Sequence, residues 1–547
     1  MSTNTLRKME PEHVRDRIHR DFMRDHSQPW RSYTLDLVFP PLHHSDKPPL
    51  PCRETPEELE VATRQFSTGI RELFEGLESL QFYIEWQKRR TEGREPLIHP
   101  DGLDLTIRIH GQPISVPYDE EPLSCLHRVY HSRRLRLLPG DLAALPRLQW
   151  ITGLTIEPAI EYDDEAMTHF AGVRPVSPLA PLQLAARLPA LRELRCPWLW
   201  ERGPAAFAPH AEPHMWDLPA PMAHYARVWE GPWRDSRHEF GDTAFPALVG
   251  GLPAALKRAR LWFWRAGGLP DDDQVARMPD LVCPAVVDPV SVGLRVLAAR
   301  LEVLDLRAMV TPDLFSSAGQ TPWSSMKRLR VEFHPCRPDG GWYFVGPRGE
   351  DPDPEGFEMG SEHYPPAFKT KEDEEVDEDY YDDVSGFGKG YEHDARKHDL
   401  FRIEPVTEKV EPLLAAFGEA LRSMASLEGA ELFAWLTWQP SEERAQEYGG
   451  DDLYDDNRRS WKWGARYVPA KDGAKGRVEW QVGDWRLQEN IITLFKSLGG
   501  DSEIGVMWKP FDKKDGRETW EEDELWQWLI LRQTWSRCQL LEHSHSS

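Results

Sequence analysis

The chain has 547 residues, of which 40% are hydrophobic and 29% charged, enough for a sizeable core and too apolar for a chain disordered throughout. Acidic residues outnumber basic ones by 91 to 66, a net charge of −25. Such a field repels phosphate backbones and anionic lipid, so nucleic acid and membrane are not expected as partners. In chain order, residues 1–30 are expected to form an N-terminal helical segment; they are charged and lack the apolar stretch of a secretory signal. Strand-like alternation then appears at Tyr33–Phe39, Leu80–Ile84 and Leu103–Ile109. Between the first two, Leu59, Phe66, Ile70, Leu73, Phe74 and Leu77 are spaced three, four and seven apart, with Val61 off the stripe, which predicts an amphipathic helix from Pro56. A second helix is predicted from Val406 to Leu427 on Val410, Leu413, Leu414, Phe417, Leu421 and Met424. No apolar run approaches the ~18–20 residues of a membrane helix.

A recurring unit organises the middle of the chain. Leu145-Pro-Arg-Leu148 leads into ITGLTIEP, Leu188-Pro-Ala-Leu191 into Arg192–Cys196, and Leu252-Pro253 through Leu256 into Arg260–Phe263. Leu297 and Leu301 lead into Glu302–Leu306, Met326 into Lys327–Phe333, and Met424 with Leu427 into Ala430–Phe433. Helix, turn, strand and loop in repetition is the leucine-rich-repeat plan. The expected fold is therefore α/β, an irregular leucine-rich-repeat-like solenoid over residues 31–339, resuming over 400–535 with a terminal helix capped at Thr519. The first four leads start 43, 64 and 45 residues apart, against ~20–29 for a regular repeat, so a mixed α/β domain without solenoid curvature remains open. Residues 340–399 carry the run Lys371–Asp379 and are expected to be an acidic, disordered insertion. Glu442–Arg459 reads as a second acidic loop, and 536–547 as a disordered tail.

Three stretches carry a family resemblance: LPALRELRCP from Leu188, WEGPWRDSRHEF from Trp229 and VEWQVGDW from Val478. On these the chain resembles fungal F-box proteins with degenerate leucine-rich repeats, over residues 145–500. The resemblance implies a protein-interaction scaffold that serves as substrate receptor of a cullin–RING ubiquitin ligase, with a Skp-type adaptor as a partner. The F-box itself, with its opening Leu-Pro-x-Glu-[Ile/Leu] helix, is not detected before the strand at Tyr33. The alternative is a structural or interaction protein with no ligase link.

No catalytic, cofactor or metal set stands out. Asp351, Asp353, Glu355, Gly356 and Glu362 match calcium-loop positions, but two prolines interrupt them. His210-Ala-Glu212-Pro-His214 misplaces the glutamate of a zinc helix. Asp235, Ser236 and His238 form a nucleophile set in composition only, the basis of the remaining alternative, a cryptic hydrolase. Arg128, Arg133, Arg134 and Arg136, with His127 and His131, make one basic stretch, read as a solvated face or a clamp on the protein's own acidic residues. The six cysteines, Cys52, Cys125, Cys196, Cys283, Cys336 and Cys538, contain no CxxC pair, so reduced thiols and a cytoplasmic or nuclear location are expected. Tryptophan is abundant, and Trp198, Trp200, Trp229, Trp233, Trp262 and Trp264, with Arg234, are the candidate interaction surface.

Overall fold

Strand β1 (Ser32–Leu37) opens the described fold of this computed structural model, burying Tyr33, Leu35 and Leu37 and turning Ser32, Thr34 and Asp36 to the other face. The structure describes residues 29–39, 42–43, 55–90, 98–110, 114–115, 134–159, 174–197, 230–242, 244–263, 277–316, 322–364, 399–448, 459–471, 473–499 and 504–510, with residues 14, 18, 20, 199, 274, 275 and 371. The helical reading of residues 1–30 therefore lies largely outside it, though residues 14, 18 and 20 are helical. The expected terminal helix at Thr519 and the tail lie outside it entirely.

Strand β2 (Leu42–His43) precedes helix α1 (Pro56–Arg90). A capping box starts α1: the Thr55 hydroxyl accepts from the Glu58 amide at 3.2 Å, and Glu58 accepts from the Thr55 amide at 2.7 Å. Its stripe, Phe66, Ile70, Leu73, Phe74 and Leu77, is buried, while Val61 is 45% exposed as its position off the stripe required. Leu80–Ile84, expected as a strand, is helical instead. Leu80 and Ile84 continue the three- and four-residue spacing from Leu77, and both are buried by it.

Then follow β3 (Leu103–Ile109), β4 (Ile114–Ser115), α2 (Pro139–Ala144), β5 (Ile151–Pro158), α3 (Leu179–Ala185), β6 (Glu193–Cys196), α4 (Gly231–Phe240), α5 (Phe245–Gly251), β7 (Arg258–Trp262), α6 (Pro289–Ala298), β8 (Val303–Ala308) and β9 (Arg328–Phe333). The second part holds β10 (Phe344–Val345), β11 (Glu404–Pro405), α7 (Thr407–Arg422), β12 (Gly429–Trp438), α8 (Glu442–Tyr448), β13 (Arg459–Val468), β14 (Arg477–Gln481), α9 (Glu489–Lys496) and β15 (Gly505–Trp508). The predicted second helix is thus α7, and part of the expected second acidic loop forms α8.

Eleven strands make one mixed sheet in the order β1-β3-β5-β6-β7-β8-β9-β12-β13-β14-β15. The first eight run parallel, β13 is antiparallel to both β12 and β14, and β15 runs parallel to β14. β9 and β12 are hydrogen-bonded neighbours, so the regions before and after the acidic segment share one sheet. Five of the six leads seen in the sequence are turns: Leu191, Leu256, Leu301, Met326 and Leu427 each donate their amide to the carbonyl three residues earlier, whereas Leu148 donates to the Arg187 carbonyl. Their apolar side chains, except the half-buried Leu427, are buried, each contributing roughly 1.5–3 kcal/mol to burial.

One continuous core joins the buried side chains of the helices to Leu105, Leu154, Leu194, Leu261, Leu306, Val331 and Leu432. It takes only one alternate set of each strand. The intervening residues, such as Arg195, Asp305, Arg330 and Phe433, lie on the opposite face and take no part in it.

Part of the expected acidic insertion is packed. In residues 340–364, Trp342, Tyr343, Phe344, Met359 and His363 are buried, because this stretch carries apolar residues that the run Lys371–Asp379 lacks. β10 pairs antiparallel with β11, and Arg402, buried between them and the loop, bonds Asp351 at 2.5 Å and lies 4.8 Å over the Trp342 ring. Arg444 of α8 clasps both sides of the segment, bonding Asp399 at 3.1 Å and also Glu350. Residues 365–398, Lys371 apart, lie outside the described residues.

Candidate functional site

The face of the sheet turned away from the helices carries charge in rows. Parallel and antiparallel registers both align same-face residues across strands about 4.8 Å apart. They place Thr106, Thr155, Arg195, Arg260, Asp305, Arg330, Glu431, Arg466 and Glu479 side by side over nine strands. The adjacent row reads Trp262, Arg307, Glu332 and Phe433.

From Arg260 to Glu479 opposite charges alternate along the first row, and charges on this face pair. Arg260 reaches Asp305 at 3.1 Å and Arg330 reaches it from the other side at 3.5 Å. Arg330 also lies 3.7 Å from Glu431, which Lys462 bonds at 2.6 Å. Arg307 meets Glu332 at 2.9 Å, and Glu193 is shared by Arg195 and Arg258 at 3.4 Å each. Glu479 takes Arg477 at 2.6 Å and Lys509 at 2.7 Å. Burial raises the Glu479 carboxyl, but these hydrogen bonds outweigh it and hold its pKa below the usual range. The carboxylates of these pairs, Glu193, Asp305, Glu332, Glu431 and Glu479, are all buried, so removing the cation from one strands a buried charge. Burial lowers the pKa of Arg307, the Glu332 carboxylate opposes this, and neighbouring Arg330 and Arg260 reinforce it.

Aromatic rings fill the gaps. Trp262 lies under Arg307 and Arg260, whose guanidinium carbons are 4.0 and 4.7 Å from its ring centre. Phe433 is covered by Arg330 at 4.9 Å and Lys462 at 4.3 Å.

Of the residues singled out in the sequence, only Trp262 is placed on this face. Trp233 is 4% exposed on α4, packed with Leu281, Met309 and Met359 in a small core of its own, so it offers no surface. Arg234 bonds the Tyr364 hydroxyl and holds the loop at Tyr364 onto α4. Trp198, Trp200, Trp229 and Trp264 lie outside the described residues, as do His210, Glu212 and His214. Asp235 accepts from Tyr364 at 2.9 Å, tying α4 to that loop, and Ser236 donates back to the Pro232 carbonyl of the same helix at 2.9 Å. Of the basic stretch, Arg136 clamps Glu239 at 2.7 Å and Arg134 is buried against the Leu199 carbonyl; Arg128 and Arg133 lie outside. Asp351 of the calcium-like stretch is taken by Arg402, and among the described residues no three His, Cys, Asp or Glu side chains gather as a metal set. Among them, too, no helix is long and apolar enough to cross a membrane.

The charged rows were in the sequence. RELRC, RARLW, VLDLRA and RLRVEF each set arginine or a carboxylate at alternate positions beside buried leucine or valine. Their meaning depends on register, which a single sequence does not give. No family model, curated protein or solved structure matches the chain.

Proposed function

We propose that this chain is a protein-binding scaffold of leucine-rich-repeat type, receiving its partner on the charged sheet face. The observation that carries this reading is strand order: eight parallel strands of the large sheet stand in it in their order along the chain, and the continuous core lies on one face of it. A doubly wound sheet reverses its strand order and covers both faces with helices. A repeat array instead meets only its neighbours and leaves one broad face for a partner. Register irregularity then reflects long connections between units, such as residues 334–428 between β9 and β12.

The resemblance to fungal F-box proteins makes a substrate receptor of a cullin–RING ligase the more specific form of this proposal. An interaction protein without a ligase link is the second form. Cytoplasm or nucleus is the proposed location, supported by free thiols at Cys196, Cys283 and Cys336. Affinity purification of the tagged full chain, with quantitative mass spectrometry, tests both forms. A Skp-type adaptor and a cullin at near-stoichiometric recovery are expected for the ligase form. Recovery of a different protein in their place sinks that form and keeps the scaffold.

A further inference from the structure

We infer that the outer edge of β15 is a self-association site, on which a second copy of this chain pairs its own β15 in antiparallel register. The inference stands independently of the scaffold reading above.

The ladder fixes which groups of β15 face outward. The Gly505 amide donates to the Gly476 carbonyl at 2.9 Å, and the Lys509 amide to the Trp480 carbonyl at 2.7 Å. Alternate residues of a parallel pair face the neighbouring strand, so Gly505, Met507 and Lys509 turn their backbone groups to β14. Val506 and Trp508 turn theirs outward, and among the described residues no strand stands beyond them. The side chains alternate between the two faces of the sheet. Val506 and Trp508 stand beside Val478 and Trp480 of the core, and Met507 stands beside Glu479 on the charged face. Trp508 stacks on Trp480 with 6.2 Å between ring centres and stays 38% exposed, while Met507 is 45% exposed. This edge is therefore apolar on both faces. The opposite edge is not: on β1 the apolar Tyr33, Leu35 and Leu37 are buried, and Ser32, Thr34 and Asp36 occupy the other face. Edge strands are commonly blunted by charge or proline within the strand. In β15, Lys509 and Pro510 come only after its last residue.

Register selects a second copy as the occupant. A two-fold axis at Met507 sets Val506 opposite Trp508 of the second copy, and the reverse. These are the outward-facing residues, so each such pair exchanges two hydrogen bonds. The same axis brings the two Met507 side chains together and sets Lys509 opposite Gly505, which has no side chain to obstruct it. An axis at Val506 would need the Ile504 backbone, yet Ile504 is 6% exposed and lies against Gly499, where a Cβ would meet its side chain at 2.7 Å. An axis at Trp508 would pair Val506 with Pro510, which has no N–H to give. So short a contact makes a concentration-dependent dimer and not an obligate one. The axis runs perpendicular to the sheet. Both charged faces then point the same way, and a dimer offers two of them to a bivalent partner.

Sedimentation velocity of the full chain, over a hundredfold range of concentration, tests the inference. The mean mass is expected to rise toward that of two chains. Met507→Lys, at an exposed position where two lysines would meet on the axis, should weaken association at least tenfold with circular dichroism unchanged. Disulfide trapping reads the register. On the axis the two Cα atoms of residue 507 would lie about 4.5 Å apart, within disulfide reach, so Met507→Cys should give a covalent dimer under mild oxidation. Lys509→Cys would set its two thiols about 14 Å apart along the strands and should give no more dimer than the parent chain. A mass constant at one chain, an association that Met507→Lys leaves intact, or equal trapping at both positions overturns the inference. Where the mass stays constant, maleimide labelling of the Met507→Cys thiol names the occupant that replaces a second copy. Slow labelling assigns the edge to the chain's own residues 511–547, and fast labelling leaves it to a different protein.

Discussion

His334 follows β9 directly and is 1% exposed. Its Nδ1 accepts from the Cys336 amide at 3.0 Å, which needs an unprotonated nitrogen there. Burial pushes its pKa from the usual 6.5 down to about 3. The unfolded chain therefore takes up a proton near pH 6.5 that the folded chain refuses, so stability is complete above that pH and falls as pH drops toward 3. Between pH 7 and pH 5 this one group should cost about 2 kcal/mol. His334→Asn keeps an acceptor for the Cys336 amide and removes the titration. Urea denaturation at both pH values should show the variant losing about 2 kcal/mol less than the parent; equal losses would refute the assignment. Nothing in the stretch EFHPC distinguishes this histidine from an exposed one, since its burial depends on how the rest of the chain packs around it. The same limit applied to Trp233 and Trp262. Composition marked both as notable, and only the register placed one on the charged face and the other in a core.

Among the elements, local signals were legible where one element settles its own conformation. The α1 stripe and the Thr55-x-x-Glu58 capping box both stand in the sequence, and the same spacing carries the helix through Leu80–Ile84, where short alternation had suggested a strand. Strand pairing was less legible because it depends on backbone from elsewhere. Gly464 in β13 is an example. A Cβ there would lie 2.2 Å from the Leu432 carbonyl oxygen and 2.7 Å from the Phe433 Cα across the β12 pairing. Gly464→Val should therefore lower stability by at least about 1–3 kcal/mol, as overpacking of a tight site does. Gly250, exposed on α5, is the contrast: a Cβ there would meet nothing within 4 Å. Gly250→Ala should be neutral or stabilise by up to about 1 kcal/mol through helix propensity. Thermal melts of both variants against the parent check the pair, and comparable losses would show that the close β12–β13 approach is not what Gly464 serves.

At the scale of the molecule, the question is how far one unit's stability reaches. The core is continuous from Val14 to Ile504, yet each parallel strand is hydrogen-bonded only to the strands beside it. A sheet of this order has β1 and β15 at its edges among the described residues, far from the middle strands in both space and pairing. In such an array stability is a sum of unit and neighbour terms, so damage weakens with distance. In a globular domain that unfolds as one, every slowly exchanging amide reports the same loss. Leu306 on β8 is the natural probe, being fully buried on the middle strand of the eleven, with Leu261 of β7 and Val331 of β9 beside it in register. Leu306→Ala should cost about 2–5 kcal/mol locally, the usual range for a buried leucine truncated to alanine. Hydrogen exchange with mass spectrometry should show the largest loss of protection in peptides spanning β7, β8 and β9, and a smaller one in β3 and β14. A uniform loss from β1 to β15 would mean that the sheet unfolds as a single unit, and it would remove the energetic basis for treating the chain as a repeat scaffold.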